Sequence, residues 1–507
     1  MTERRQTGAA PEPCARPAIR AALGAAIGTL LLAGCAMLPP HPNAAPTPLA
    51  STRLGLTGPT VAPAPEAWWQ ALGDAQLDRL VDEALRDSPR LAEANARWQA
   101  AEAQAAAAQA AQQPGARFKV SEERLKVPSG FGPYLLGGQS VWLGSLGAAL
   151  SWDPDLWGQR ADESAAARRL SGAAGMDRAE ARLLLSGAVV QAYLQLDRAA
   201  ALEAIAADTE AQRARIVEIT RRRVAAGLDT RVELREAEGA VPQTHLALLQ
   251  AQAQEALARH ELAALVGRGA DLYDSIQAPH LNVPALQPLP ASLPINLLAR
   301  RPDVIAARER IAAADAGRSA ARAAFYPSIN LSALAGFASV SLSNLISAET
   351  FGYGAGPALS LPIFDGGRLR AVYRGAQAQL AEAVARYDDV VLAAVRQAAD
   401  QISLIDSLAA QQQQQTQWLT AAQEAYRLDE ERYRAGLASY LSVLDAETDV
   451  FNARRTAVEL HQQRAAARIT LLIALGGSFS TAATDAAAAT DATKQTAALH
   501  HASSIEN

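Results

Sequence analysis

Cysteine is almost missing from this chain of 507 residues, which has only Cys14 and Cys35. Cys14 falls inside a leader expected to be removed, so the mature chain can form no internal disulfide and must be held by packing. Aromatic side chains make up 5%, too few for a thick globular core. Alanine dominates instead, with Leu, Gln, Glu and Arg, a mixture that favours long helices packed at close range. The formal charge is −5. The basic residues are nearly all Arg, spread among acids, and leave no electrostatic footprint for nucleic acid. Catalytic equipment is lacking too. The seven histidines include His500 and His501 in a tail of Ala, Thr and Ser that reads as disordered, and the rest show no metal-ligand spacing. No phosphate loop or nucleophile elbow occurs. Gly366-Gly367 follows an apolar segment and precedes a helix, but the other glycines of a nucleotide fingerprint are missing, so it reads as a turn. Neither an enzyme nor a cofactor is expected.

What is present begins with an export signal. Arg4, Arg5, Arg16 and Arg20 precede an uncharged apolar run from Ala21 to Ala33, too short to span a bilayer. It closes in Leu32-Ala33-Gly34-Cys35, which resembles the bacterial lipobox, whose cysteine becomes a lipid-modified N-terminus. Residues 1–34 are then a lipoprotein signal peptide and Cys35 carries a covalent lipid. Ala36 follows where an aspartate would favour the inner membrane, pointing to the outer membrane.

The two halves of the chain match at an offset of about 209 residues. Val224 to Thr230 aligns with Tyr433 to Ser439, placing Gly227 on Gly436, and Gly267 falls on Gly476. Leu150-Ser151 meets Leu359-Ser360, and Trp157-Gly158-Gln159-Arg160 meets Asp365-Gly366-Gly367-Arg368 after a slip of one residue. Because the matches include glycine punctuation, shared composition explains them poorly. The organisation expected is a lipidated linker at 35–64, a first repeat at 65–275 with a hairpin near 116–152, a second repeat at 276–477 with a hairpin near 328–363, and a disordered tail at 478–507. No proline lies between Pro154 and Pro242, or after Pro362. A helix from Arg368 to Arg434 would have about 67 residues and a length of roughly 100 Å, more than a compact domain can hold. Arg434 followed by Gly436 is the order of a helix C-terminus. Ser439 could cap the next helix, from about Leu441 to Leu475.

Alternation of period two marks four strands. Ile329, Leu331, Ala333, Ala335 and Phe337 form one face of a segment from Ser328. Phe351, Tyr353, Ala355, Leu359, Leu361 and Ile363 form one face of another. Trp142, Leu146, Ala148, Leu150 and Trp152 form a third, and Ala116 to Leu125 is the faintest. Their lengths suit tilted membrane-spanning strands, although a soluble hairpin with one buried face gives the same pattern. In hydrocarbon, four strands cannot seal themselves, since open edges leave amides unpaired. Three copies would supply twelve strands, enough for a barrel with an opening.

Leu-Leu-Ala-Arg-Arg-Pro-Asp-Val from Leu297, followed by Ala-Ala-Arg-Ala-Ala-Phe-Tyr-Pro-Ser-Ile-Asn-Leu-Ser-Ala-Leu ending at Leu334, resembles the signature of TolC-type outer-membrane factors, in the NodT-type or OprM-like lipoprotein branch. Trp68-Trp69, Leu77-Asp78-Arg79-Leu80, Ser151 to Gly158 and Leu361 to Arg368 match that family in order and spacing, over roughly residues 65–477. The resemblance implies a mixed α and β membrane protein: a homotrimer whose twelve-stranded β-barrel in the outer membrane continues into a periplasmic α-helical barrel. It also implies docking to a periplasmic membrane-fusion adaptor and an inner-membrane pump of the resistance-nodulation-division type. The implied function is the outer-membrane channel of a tripartite efflux pump, passing drugs and toxic compounds outward. In that family the periplasmic tip closes beside the helix break; here Tyr433 and Asp445 fit the gate tyrosine and one ring aspartate. A ring of carboxylates at a narrow mouth both filters and latches. Ser442 and Ala438 depart from the family pattern, leaving a second carboxylate ring and a latching ion pair in question, and Asp229, Glu233 and Glu236 near the first break are candidate replacements. Two other functions compete. A type I protein secretion conduit would share the architecture, and the Cys35 anchor tips the resemblance toward small-molecule efflux. A periplasmic coiled-coil scaffold or adaptor would have no use for alternating glycine and aromatic strands.

Overall fold

A computed structural model of the chain describes residues 46–50, 53–60, 63–126, 138, 140–281, 293–294, 296–340 and 342–477. The signal peptide, Cys35 and the C-terminal tail lie outside the described residues. In chain order the principal elements are α1 (Ala75–Asp87), α2 (Pro89–Ala110), β1 (Gly115–Lys126), β2 (Ser140–Trp152), α3 (Gln159–Ala225), α4 (Arg231–Val266), α5 (Pro302–Ala323), β3 (Ser328–Ser339), β4 (Phe351–Ser360), α6 (Arg368–Arg434) and α7 (Tyr440–Ala474). No helix among the described residues is long and apolar enough to cross a membrane.

The same elements come twice in the same order. α2 and α5 have 22 residues each, and α3 and α6 have 67 each. Gly158 and Gly367, the residues just before α3 and α6, both take positive φ, 78° and 90°. They are 209 positions apart, so the one-residue slip expected from the sequence is not needed. The second glycine of Gly366-Gly367 carries the correspondence, because only it immediately precedes the helix. Asp365 fixes that turn, its carboxylate accepting from the backbone N–H of Gly367 and of Leu369 at 2.9 and 2.7 Å.

The chain divides into two compact units. One contains the four strands, the ends of α2 and α5 and the starts of α3 and α6. Its strands form one antiparallel sheet in the order β1-β2-β3-β4, leaving β1 and β4 as edges. β4 ends at Ser360, three residues short of the expected Ile363, because Pro362 has no N–H to give to a ladder. Phe325, Leu369 and Tyr373 form a small core beside the sheet. Trp157 stacks on Tyr326 at 5.0 Å between ring centroids and donates its indole N–H to the Pro327 carbonyl at 2.6 Å.

The other unit is helical. Leu77, Leu80, Val81 and Ala84 recur at helical spacing along α1 and are buried with Trp68, Trp69, Tyr193 of α3 and Leu262 of α4. Asp74 caps α1 by accepting from Gln76 N at 2.8 Å. Its other oxygen accepts from the Tyr193 hydroxyl at 2.6 Å and from His280 N at 3.0 Å. Burial alone would raise the Asp74 pKa, but these hydrogen bonds outweigh it and hold the carboxyl below its ordinary value. A second core joins Leu297 to Ile405 and Leu408 of α6 and Leu460 and Leu471 of α7.

Candidate functional site

Both helix breaks are built alike. α3 and α6 end in glycines of positive φ, Gly227 at 75° and Gly436 at 77°. Behind each, a backbone bond reaches across the last turn: Leu228 N to Arg223 O at 2.9 Å, and Leu437 N to Arg432 O at 2.8 Å. This closure satisfies orphan carbonyls and needs a left-handed residue, which glycine supplies without strain. The restarts differ. Glu233 accepts from Thr230 N at 2.6 Å, the returning half of a capping box on α4. At the matching position of α7, Ser442 instead donates its hydroxyl to the Ser439 carbonyl at 2.8 Å. Ser439 stands at the N-cap position of α7, but its side chain makes no capping bond.

Between the breaks the structure brings Tyr433 and Asp229 together. The buried Tyr433 hydroxyl donates to Asp229 Oδ2 at 2.7 Å, and Thr220 Oγ1 lies 2.9 Å from the same hydroxyl. Arg223 grips both Asp229 oxygens, Nε to Oδ2 at 2.8 Å and Nη2 to Oδ1 at 3.0 Å. Its third nitrogen, Nη1, donates to the Tyr433 carbonyl at 3.0 Å, and its guanidinium carbon lies 4.6 Å from the Tyr433 ring centroid. One arginine thus fastens the end of α3 to the end of α6 through charge, hydrogen bonds and ring face. The bond from Arg223 holds the Asp229 carboxyl below its usual range, overcoming burial, with Tyr433 assisting. Burial pushes the Tyr433 phenol up to about 12, so it remains a donor.

A layer of apolar side chains, Ile216, Val217, Ala237, Tyr440 and Val443, packs around Tyr433. Beyond it Arg213 and Glu447 form a buried ion pair, Nε to Oε2 at 3.0 Å, and Arg213 Nη1 reaches the Ala240 carbonyl at 3.0 Å. Burial raises the Glu447 pKa above its ordinary value despite that arginine. Asp445 and Glu236 are exposed in the single chain and stand outside the Asp229–Tyr433 cluster. Sequence reasoning therefore found two members of the cluster and missed Arg223, Thr220, Arg213 and Glu447. Among the described residues no cluster of His, Cys, Asp and Glu is placed to hold a metal ion.

The sheet presents two unlike faces. Cross-strand partners share a face, so the register sets Phe118, Val120, Leu146, Leu150, Trp152, Leu331, Phe337, Phe351, Tyr353 and Leu359 on one side. Tyr353 is 84% exposed and Phe118 71%. Such a face in water is costly at about 25 cal/mol per Å². From Ile329 to Phe337 the apolar face of β3 repeats on alternate positions, over a length of about 9 residues that suits a tilted strand of an outer-membrane barrel. The opposite face carries Arg117, Lys119, Ser121, Glu123, Ser145, Ser151, Asn330 and Ser332 and the glycines 147, 336, 352, 354 and 356, with Leu125, Val141, Leu143 and Leu334 as its larger apolar side chains.

Comparison with known proteins identifies the family. The family described as outer membrane efflux protein matches residues 80–268 and 293–477. The fusaric acid resistance protein FusA of Burkholderia cepacia is 36% identical over 315 residues, 61% of this chain and 59% of that protein, so the match spans less than two thirds of that relative. The pyoverdine export outer membrane protein OpmQ of Pseudomonas aeruginosa strain PAO1 is 33% identical over 428 residues, covering 81% of this chain and 87% of OpmQ. The crystal structure of the outer membrane protein VceC of Vibrio cholerae superposes with a TM-score of 0.78 and 32% identity, covering 83% of this chain and all of VceC. The chain belongs to the outer membrane efflux protein family. Its place is the outer membrane, and it serves there as the channel component of an efflux system.

Proposed function

We propose that three copies of this chain pool their strands into one twelve-stranded barrel and their helices into a periplasmic tunnel, through which small molecules pass outward without chemical change. The observation that carries this reading is the sheet: four strands, one exposed apolar face, one polar face and two open edges that lipid cannot tolerate. The repeated order of elements supports an internal duplication. The Arg223–Asp229–Tyr433 cluster is the candidate latch of the periplasmic tip, with Gly227 and Gly436 setting its turns and Glu233 its cap. Asp445 and Glu236, both exposed, are candidates for a charged ring at the mouth of the assembled channel. Cys35 anchors the chain to the membrane by a covalent lipid.

The energy for transport comes from partners, a periplasmic adaptor and an inner-membrane pump of the resistance-nodulation-division type. The names of the relatives, resistance to fusaric acid and export of pyoverdine, support small molecules as cargo over the proteins of a type I secretion system. Light scattering of the detergent-extracted protein, corrected for bound detergent, tests the assembly. A protein mass of three chains is expected, together with discrete conductance steps in planar bilayers. A monomer released from membranes by salt alone would instead mean a scaffold without a pore.

A further inference from the structure

On the polar face of the sheet, charge is confined to one strand. Arg117 and Lys119 stand two residues apart on β1, both exposed, and neither has an ion-pair partner among the described residues. Across the sheet from Lys119 the register places Gly147, then Gly336, then Gly352. Across from Arg117 it places Ala149, Leu334 and Gly354. Lys119 is thus the only residue of its cross-strand row with a side chain.

Sheet packing demands at least part of that emptiness. A Cβ on Gly336 would come within 2.4 Å of the Leu146 carbonyl oxygen, and one on Gly147 within 2.9 Å of the Ala335 carbonyl oxygen. The close approach of β2 and β3 therefore clears the space beside Lys119 of any side chain that could cover or neutralise it. The nearest acid on the same face of β1 is Glu123, opposite Leu143. At four residues it lies roughly 14 Å along the strand, beyond the screening length of about 8 Å at physiological salt.

We propose that Arg117 and Lys119 form a cationic belt inside the barrel that attracts anionic solutes and binds polyvalent anions. This rests on the barrel reading above, in which the apolar face meets lipid and the polar face lines the pore. Three copies would then set two rings of three cations about 7 Å apart along each strand, the Lys119 ring beside a row of glycines only and the Arg117 ring beside Ala149, Leu334 and Gly354. A low-dielectric wall with one sign of charge concentrates counter-ions. The ligand class is a carboxylate-, phosphate- or sulfate-bearing solute, held by charge and by Arg forks and not by a shaped pocket.

The full-length protein in planar bilayers tests it, with inorganic tripolyphosphate added to each side in turn. Block of the wild-type current from one side is expected, weakening as salt rises. In Arg117→Gln/Lys119→Gln the block should be about tenfold weaker or more, and the reversal potential in a KCl gradient should move toward cation preference. Lys119→Arg should keep the block. A conducting double variant with unchanged block and reversal potential would overturn the belt, as would a Lys119→Arg variant as insensitive as the glutamine one. A wild-type protein that yields no conductance steps would overturn the barrel reading and the belt with it, an outcome plainly distinct from the other two.

Discussion

Tyr433 and Asp229 lie in the two halves of the chain and meet at 2.7 Å, phenol donating to carboxylate. Removing the acid does more harm than removing the phenol. Asp229→Ala leaves Arg223, whose side chain is 14% exposed, without its counter-charge, whereas Tyr433→Phe forfeits one hydrogen bond to a carboxylate, worth about 1.5–3 kcal/mol, and leaves the ion pair in place. Single-channel recordings should show larger or more frequent openings for both variants, with Asp229→Ala clearly ahead. Equal conductance in all three proteins would remove this cluster from the gate.

Arg213 and Glu447 stabilise the packing behind that cluster only as a pair. Arg213→Met strands the Glu447 carboxylate among apolar side chains and should cost about 3–5 kcal/mol. Adding Glu447→Leu to it should recover most of the loss, since a well-packed apolar replacement is tolerated. Thermal denaturation of the detergent-solubilised protein would read both effects. A double variant as unstable as the single one would contradict the pairing.

Glu180 of α3 offers a pH test with a definite sign. Burial first, then the charges of Asp303 and Asp177, push its carboxyl up to about 7, while Arg301 and Arg310 oppose them. A carboxyl raised on folding favours the protonated native state. Its ionisation therefore costs nothing below about pH 4.5, costs progressively more up to about pH 7, and then a constant amount. Discounted for its partial exposure, that amount is about 1–3 kcal/mol. Glu180→Gln should melt higher than wild type at pH 8 and no higher near pH 4.5; an equal difference at both pH values would rule this out.

Much of this arrangement was legible in the sequence, and its limits are physical. The ends of α6 could be read because Gly367 and Gly436 adopt a conformation that favours glycine, and the strands because one of their faces repeats apolar residues. Arg223 could not be picked out. It is the third of three consecutive arginines, and only the helical phase, fixed by packing, decides which one turns inward. Arg213 and Glu447 were equally hidden, since 234 positions separate them and no local pattern joins them.

The sheet predicts sharply different fates for similar substitutions. Gly336→Ala forces a methyl to within 2.4 Å of the Leu146 carbonyl oxygen, while Gly354→Ala meets nothing within 4 Å. The first should abolish heat-resistant oligomers on gels and the second should leave them intact. If both variants assembled normally, the β2–β3 register would be wrong.

Cys35→Ser removes the thiol that would take the lipid. Labelled palmitate should no longer enter the protein, which should still be exported but reach the outer membrane poorly. Undiminished labelling would place the anchor elsewhere.

The halves of the chain are alike in scaffold but not in their fastenings. At the positions matching Asp229 and Tyr433, the opposite halves carry Ala438 and Val224. A mouth assembled from three copies would have six near-equivalent joints, with clasps at only three of them, one inside each subunit. Dilation would then begin at the seams between neighbouring subunits, each hairpin pair swinging outward as a buckled unit.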